Sequence, residues 1–392
     1  MIGLSQIRPA WAEVDLDAIA NNISVMKAGL APGSSIMAVV KAAGYGHGAV
    51  PVARASLDAG AGSLGVATLH EALELRRAGI TAPVLVLGYT PEEQAEIVVA
   101  NDVTQAVWTI PGVQALLSAA RRLGKPALMH LKIDSGMGRI GARPGEELDR
   151  LVEALMSAGL EEIDGAFTHF SVADTDPDYT EHQFATFMDS VEKIERRGLR
   201  ARTLHCCGSA ALIGYREYHL DMIRPGIVLY GYPPVPAQGF RIALTIKARL
   251  SHVKTVNTGD SISYGRTYIA DRAVRVGSLP LGYADGYRRV LSNKGEVVVG
   301  GTRARILGRV CMDQFMVDLS GIEGVSAGDV VTVLSSDPKA GPTAADLAAA
   351  CGTIVNDILT GLSPRLPRVY HRGGEWFTLD PGGARLDVDP GS

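Results

Sequence analysis

The segment "IMAVVKA" at residues 36–42 is the first of a series of runs that decides the fold. It is short and rich in apolar and β-branched residues, which is typical of a buried strand. Further runs of this type lie at 63–68, 84–89, 103–108, 127–134, 164–170, 202–207 and 223–231. Segments with helical spacing of apolar residues separate them, for example 69–79, 90–101 and 178–198. Eight strands that alternate with seven helices over about 200 residues predict a (β/α)8 barrel of the TIM type.

A doubly wound open sheet is the alternative fold for the same alternation. Sheets of that class commonly carry Gly-x-Gly-x-x-Gly directly after the first strand, and no such motif follows residue 42 at that place. The chain has 392 residues, of which 46% are hydrophobic. This length is sufficient for two domains, or for one barrel with an additional domain.

The alternation of strand-like and helical segments ends near residue 245. Strand-like runs follow one another at 243–256, 260–265, 272–280, 295–301, 302–310, 314–320 and 329–336, with glycine-rich turns between them. This pattern predicts an all-β domain, followed by one helix at 342–352 and a loose stretch over the final twenty residues. We expect a barrel domain at 13–240 and a mainly β domain at 241–382, with residues 1–12 packed on the β domain and 232–239 as the linker.

Composition and charge restrict the class of protein. The net charge is -4 and no block of like charges occurs, which argues against nucleic acid or an anionic membrane surface as a partner. No run of 18 apolar residues is present, and the N-terminus lacks the features of a signal peptide. The four cysteines, Cys206, Cys207, Cys311 and Cys351, form no CxxC pair. We therefore expect a cytoplasmic protein with reduced thiols and no metal site.

Polar residues at the predicted strand ends are the candidates for chemistry, because barrel active sites lie at the carboxyl ends of the strands. They are Lys41, Lys132, Asp134, His169 and His205, with Arg224 near the predicted start of the eighth strand. A lysine in an apolar strand is either one that extends to solvent at the strand end, or one with a shifted pKa that forms a Schiff base. The two histidines are either hydrogen-bonded core residues or site residues.

The loops after strands seven and eight can bind phosphate, as they do in many barrels. "CCGSAA" (206–211) offers Gly208 and the hydroxyl of Ser209 at a helix N-terminus, and the Arg-Pro-Gly-Ile turn offers the backbone N–H groups of Gly226 and Ile227. A lysine for an aldehyde and two loops for a phosphate together indicate pyridoxal phosphate as the cofactor.

The chain resembles the bacterial alanine racemases, which are fold-type III pyridoxal-phosphate enzymes. The motifs that carry the resemblance run in family order at 38–48, 130–141, 167–174, 205–210, 223–231, 263–268, 281–289 and 308–319. The resemblance implies a barrel with a C-terminal β domain, and a homodimer that interconverts L- and D-alanine and supplies D-alanine for peptidoglycan. It also implies that Lys41 and Tyr264 are the two catalytic bases, with Tyr264 entering the site from the partner subunit.

The other roles that the resemblance implies concern the cofactor and the substrate. The residues implied to bind the cofactor are Lys41, Tyr45, Arg139, His169, His205, Ser209, Arg224, Gly226, Ile227 and Asn356. Those implied to line the substrate side are Arg139, Met312 and Asp313, with Tyr283 at the passage to the site. Arg224 would face the pyridine nitrogen and Arg139 the phenolic oxygen. Lys132 is either carbamylated, as in some relatives, or a plain lysine.

Three departures from the family pattern fall near the expected pocket. Ala43-Gly44 stands where the family usually has Asn or Asp and then Ala, and Cys207-Gly208-Ser209 stands where it usually has Ala-Asn-Ser. Asn356 stands where the family usually has a tyrosine. The enzyme is therefore either specific for alanine or extended to serine and bulkier amino acids. An amino-acid decarboxylase of the same fold type is a further alternative, against which Arg224 and the Ser-Tyr-Gly at 263–265 argue.

Overall fold

The computed structural model describes residues 2–380 and 382–391, which fall into two compact units. The first unit comprises 19–44 and 49–240. The second comprises 2–18, 45–48 and the described residues from 241 onwards. No helix among these residues has both the length and the apolar character that a membrane span requires.

The first unit contains eight parallel strands in a nearly closed barrel, so the predicted (β/α)8 fold is confirmed. The strands are β1 (Ser35–Val39), β2 (Ser63–Val66), β3 (Val84–Val86), β4 (Thr104–Val107), β5 (Met129–Lys132), β6 (Gly165–Phe167), β7 (Leu204–His205) and β8 (Met222–Ile223). Each strand pairs with the next from β1 to β7, and β8 pairs with β1. Two backbone hydrogen bonds join β7 to β8, from Asp221 N to Leu204 O at 3.1 Å and from Arg224 N to Cys207 O at 2.9 Å.

Seven helices connect these strands, as the alternation predicts. They are Ala49–Asp58, Leu69–Arg77, Ala95–Ala100, Ile110–Leu123, Glu146–Ser157, Pro177–Arg196 and Ser209–Gly214, and the helix Leu16–Gly29 precedes β1. Side-chain caps fix several helix starts: Thr68, Thr109 and Asp176 each accept a hydrogen bond from a backbone N–H of the first turn. A short parallel ladder also forms between Glu162–Ile163 and Arg200–Ala201.

The prediction of the eighth strand, at 223–231, is wrong over most of that range. The strand ends at Ile223, and Ile227–Tyr230 forms a 3₁₀ helix instead. Pro225 lacks a backbone N–H, and Gly226 adopts φ -105° and ψ -100°, so the ladder cannot continue through this turn. Arg224 consequently follows the carboxyl end of β8 instead of lying near the start of a long strand.

The second unit is rich in strands, as its sequence pattern predicts. Its main sheet runs in the order Ile2–Gly3, Arg385–Asp389, Glu375–Leu379, Arg368–Arg372, Ala10–Asp15, Leu244–Arg249, Val330–Leu334, Glu296–Val299, Thr302–Leu307, Phe315–Asp318, Val274–Leu279 and His252–Val256. A separate hairpin pairs Ser261–Ile262 with Tyr268–Ile269, and the helices Ala344–Cys351 and Val355–Thr360 complete the unit. The expectation of a loose C-terminal stretch is wrong, because 375–379 and 385–389 pair as strands.

Candidate active site

The carboxyl ends of the barrel strands bring most of the candidate residues of the first unit to one face. Lys41 follows β1 by two residues, Lys132 ends β5 and His169 follows β6 by two residues. His205 is the last residue of β7, and Arg224 follows β8 directly. In a barrel this end carries the chemistry, because the loops there converge while the strands hold them rigidly.

Lys41 is followed by a turn of left-handed backbone. Ala42 and Ala43 both have φ 52°, and Gly44 has φ 61°. This conformation costs an L-residue other than glycine roughly 1–2 kcal/mol. Two hydrogen bonds hold the turn: Ala42 N donates to Glu71 Oε1 at 2.7 Å, and Gly44 N donates to Val40 O at 2.9 Å.

Glu71 is a functional candidate that the sequence pattern does not reveal. Its second carboxylate oxygen, Oε2, accepts hydrogen bonds from the backbone N–H groups of Ala67 at 2.7 Å and Thr68 at 3.2 Å. The sequence places Glu71 in the first turn of a helix, where a capping role is ordinary. Its additional hydrogen bond to Ala42, from the neighbouring strand end, joins the capping carboxylate to the turn beside Lys41.

The two lysines of this face lie in surroundings that disfavour their charged forms. Burial lowers the pKa of Lys41, the positive charge of Arg139 lowers it further, and Glu71 opposes the shift. Burial and the charge of Arg224 lower the pKa of Lys132 to about 7. The Lys132 amine lies 5.4 Å from the ring centre of Phe167 and donates to the carbonyl of Ile133 at 2.8 Å.

Arg224 is buried, and its guanidinium donates hydrogen bonds to uncharged acceptors. Its Nη1 lies 2.7 Å from His205 Nδ1, and its Nη2 contacts Thr168 O at 2.7 Å, Cys206 O at 3.0 Å and His169 Nδ1 at 3.2 Å. Burial lowers the pKa of Arg224 to about 10, so the guanidinium stays charged near neutral pH. The backbone carbonyls of Thr168 and Cys206 are partners that no sequence motif reveals.

The loops after β7 and β8 are joined through Ser209. Its hydroxyl oxygen accepts hydrogen bonds from the backbone N–H groups of Gly226 at 3.0 Å and Val228 at 3.4 Å. Its own proton therefore remains available for a further hydrogen bond. The N–H of Ile227 has no acceptor within residues 2–380 and 382–391. Gly208 is close to the site, because a Cβ there would lie 3.0 Å from His169 Cε1.

Tyr264 and Asp313 belong to the second unit. Tyr264 follows Ser263, whose hydroxyl donates to the carbonyl of Arg309 at 2.7 Å, and the side chain of Tyr264 is exposed to 72%. Asp313 pairs with Arg365, with 2.7 Å between Oδ1 and Nη2. The tyrosine is thus presented outward on a segment held by its neighbours.

Tyr283 and Met312 lie on two segments of the second unit that contact each other. Tyr283 N donates to Cys311 O at 3.0 Å, and Ala284 N donates to Met312 O at 3.0 Å. Gly282 permits this approach, because a Cβ there would overlap the carbonyl oxygens of both Cys311 and Met312. Tyr283 and Met312 are both exposed.

Tyr45 and Asn356 also lie on neighbouring segments of the second unit. Asn356 is part of the helix Val355–Thr360, and a Cβ at Gly46 would overlap the carbonyl oxygen of Leu359 in that helix. Glycine at position 46 therefore lets the segment that carries Tyr45 approach the helix that carries Asn356. Burial raises the pKa of Tyr45 to about 12, so its hydroxyl keeps its proton at neutral pH.

Comparison with known proteins gives matches over nearly the whole chain. The family profile "Alanine racemase, N-terminal domain" matches residues 14–234, and "Alanine racemase, C-terminal domain" matches 243–370. The alanine racemase of Desulforamulus reducens is 45% identical over 368 residues, which are 92% of this chain and 99% of the relative.

Two solved structures are similar in both fold and sequence. The alanine racemase from D-cycloserine-producing Streptomyces lavendulae has a TM-score of 0.89 at 38% identity, covering 94% of this chain and 98% of its own. The alanine racemase from Bacillus anthracis with bound L-Ala-P has a TM-score of 0.89 at 37% identity, covering 97% of this chain and 98% of its own.

Proposed function

The chain belongs to the alanine racemase family, and from this premise we propose that it interconverts L- and D-alanine with pyridoxal phosphate as cofactor and Lys41 and Tyr264 as the two bases. The observation that carries the proposal is the position of Lys41 at the carboxyl end of β1, where burial and Arg139 lower its pKa. A lowered pKa increases the fraction of neutral amine, which is the form that attacks an aldehyde and accepts a proton. Measuring the loss of optical rotation of L-alanine with the purified protein tests the activity.

The residues of the first unit fit pyridoxal phosphate. Lys41 supplies an amine for its aldehyde, and the Ser209 hydroxyl and the N–H of Ile227 are donors without an acceptor among the described residues. Phosphate oxygens accept hydrogen bonds from such hydroxyl and backbone N–H donors. Arg224 would face the ring nitrogen, and Arg139 the phenolic oxygen. The donors and the amine therefore match both ends of the cofactor.

When bound, pyridoxal phosphate supplies the electron withdrawal that weakens the Cα–H bond of the amino acid. Lys41 Nζ would exchange a proton with one face of Cα, and the Tyr264 hydroxyl with the opposite face. A tyrosine acts as a base near neutral pH only where positive charge lies nearby, because free tyrosine has a pKa of about 10. Arg224, which retains its own protons, would leave the ring nitrogen unprotonated and so favour return of the proton to Cα over side reactions.

We propose that the active enzyme is a homodimer in which each site combines Lys41 of one subunit with Tyr264 of the other. The exposure of Tyr264 to 72% supports this arrangement, because a general base needs a surrounding that holds its substrate and tunes its pKa. We further propose a cytoplasmic location, a role in supplying D-alanine as a peptidoglycan precursor, and the domain division at 13–240 and 241–382.

Substrate preference is expected to depend on Asn356. Replacing it with tyrosine fills space and removes an amide that can hydrogen-bond a substrate hydroxyl. The kcat/KM for serine should therefore fall more than that for alanine. We expect Asn356→Tyr to lower the ratio of kcat/KM for serine to that for alanine by about tenfold, the range that one pocket contact provides. Racemisation of both amino acids by one preparation gives the ratio its own control, and an unchanged ratio would show that Asn356 does not set the preference.

Lys132 is expected to react with carbon dioxide as the pH rises. Its pKa of about 7 means that the neutral amine predominates above that pH. The amine nitrogen bonds to the carbon of CO2 and releases one proton, giving a carbamate that would orient Arg139. A carbon-13 NMR signal from labelled bicarbonate should grow between about pH 6 and pH 8. It should disappear in Lys132→Met and persist in Lys125→Met, while its absence from the native protein at pH 8 would identify a plain lysine.

A further inference from the structure

We propose that His130 is a positioning residue that fixes the protonation of His205 and, through it, the guanidinium of Arg224. The three groups form one chain of contacts: His130 Nδ1 lies 2.7 Å from His205 Nε2, and His205 Nδ1 lies 2.7 Å from Arg224 Nη1. The contacts themselves do not depend on the proposed function. Only the catalytic consequence rests on it, since Arg224 is the residue assigned there to the ring nitrogen.

The direction of each hydrogen bond follows from the chemistry of the groups. A guanidinium can only donate, so His205 Nδ1 must be an unprotonated acceptor. A neutral imidazole carries its single proton on the other nitrogen, so His205 Nε2 carries it and must donate. His130 Nδ1 is the acceptor at 2.7 Å, which requires the proton of His130 to be on Nε2. The donor at one end, Arg224, and the acceptor at the other end, His130, thus require the same order of protons.

The surroundings of both rings favour the neutral forms that this order requires. His205 is fully buried and His130 is exposed to only 8%. Burial and the charge of Arg224 hold the pKa of His205 well below its usual value and lower the pKa of His130 to about 4. A proton on either acceptor nitrogen would oppose the guanidinium directly, so neutrality preserves the chain.

The barrel also provides space for His130 at one defined position. A Cβ at Gly165, on the adjacent strand β6, would lie 2.6 Å from His130 Cε1 and 2.7 Å from its Nδ1. Phe167, two residues further along β6, stacks on His205 with 4.8 Å between ring centres and 3° between planes. Glycine and phenylalanine on one face of β6 therefore hold the two imidazoles in contact with each other.

Loss of the acceptor at position 130 would remove the partner that keeps the His205 proton on Nε2. The buried N–H on Nε2 would then have no partner, which costs about 1–3 kcal/mol. Moving the proton to Nδ1 would remove the unpaired N–H but would direct a donor at Arg224 Nη1. The second outcome leaves the guanidinium without its histidine acceptor, so His130 influences a residue that it does not touch.

Nitrogen-15 NMR of histidine-labelled protein without cofactor measures the proton positions directly. Protonated and unprotonated imidazole nitrogens have well separated shifts, and signals are assigned by substituting single histidines. We expect His205 and His130 each to carry the proton on Nε2. A proton on Nδ1 of His205 would overturn the proposal, and this result does not depend on the reaction that the protein catalyses.

Two variants distinguish the effect of losing the hydrogen-bond acceptor at position 130 from the effect of changed packing. Asparagine places its side-chain oxygen near the position of Nδ1, so His130→Asn should keep the His205 proton on Nε2, whereas His130→Leu offers no acceptor. We expect His130→Leu to lower kcat for alanine on the order of tenfold with KM nearly unchanged, as when an orienting partner is removed from a site residue. His130→Asn should recover most of that loss.

His219 provides the matched control for a buried histidine. It is exposed to 2% and bonds outside the chain of contacts, accepting from Ala31 N at 3.2 Å and contacting Leu212 O at 2.8 Å. His219→Leu should leave the His205 proton position and kcat unchanged. Equal losses of kcat in His219→Leu and His130→Leu would overturn the proposal, as would equal behaviour of His130→Asn and His130→Leu.

Discussion

Replacement of Lys41 with alanine is expected to abolish racemisation, with kcat for alanine falling by about 10³-fold or more. The variant removes one of the two proposed bases and also the amine that would hold the cofactor. General acid–base catalysis alone contributes roughly 10²–10⁴-fold, and loss of covalent attachment adds to it. Because Lys41 is only partly buried and its neighbours in the turn are bonded through the backbone, the barrel should still fold.

Two measurements identify the cause of that loss. Native enzyme treated with borohydride should carry the reduced cofactor on the peptide that contains Lys41, and Lys41→Ala should lose its visible absorbance on dialysis. Lys125 is an exposed lysine paired with Asp102, and Lys125→Ala is the control that should retain both colour and activity. Colour that survives dialysis in Lys41→Ala would assign the cofactor to another residue.

Replacement of Tyr264 with phenylalanine is expected to lower kcat by roughly 10²–10⁴-fold, the contribution of one general acid–base group. The change removes a single hydroxyl from a side chain that is exposed to 72%, so the free energy of unfolding should change by less than about 0.5 kcal/mol. Cofactor absorbance should persist, in contrast to Lys41→Ala. Tyr89→Phe is the matched control, since Tyr89 is exposed to 58% and its hydroxyl donates to Glu92 Oε2 at 2.9 Å.

Mixing the two inactive variants tests whether sites are shared between subunits. In a hybrid dimer of Lys41→Ala and Tyr264→Phe, one site would contain both intact bases and the other neither. Random exchange of subunits between symmetric dimers would therefore restore roughly a quarter of the native activity. If each site were built from one chain, every site in the hybrid would lack one base and no activity would return.

The sequence predicts the barrel well because its signal is local. Each short apolar run and each helix start, such as the Thr68 and Glu71 pair, depends on neighbours within a few residues. The eighth strand is misjudged because apolar residues continue through 227–230, while Pro225 and Gly226 change the backbone direction. Strand order in the second unit is not predictable in this way, since Ala10–Asp15 lies between strands more than 200 residues away in the chain.

The candidate site shows the same distinction between local and spatial information. Lys41, His205 and Arg224 are recognisable in the sequence because each is a polar residue at one end of an apolar strand-like run. His130 lies within the predicted fifth strand and is significant only through its contact with His205, 75 residues away. Glu71 resembles an ordinary helix cap, and only the backbone of Ala42 gives it a second role.

The left-handed turn after Lys41 makes part of the molecule sensitive to chirality. At Ala42 and Ala43 the φ and ψ values, 52° and 54° and then 52° and 45°, are close to the mirror image of an ordinary helix. The roughly 2–4 kcal/mol of strain at these two residues arises only because their Cβ atoms have the L configuration. D-alanine, the proposed product of the enzyme, is the amino acid whose configuration would remove that strain at both positions.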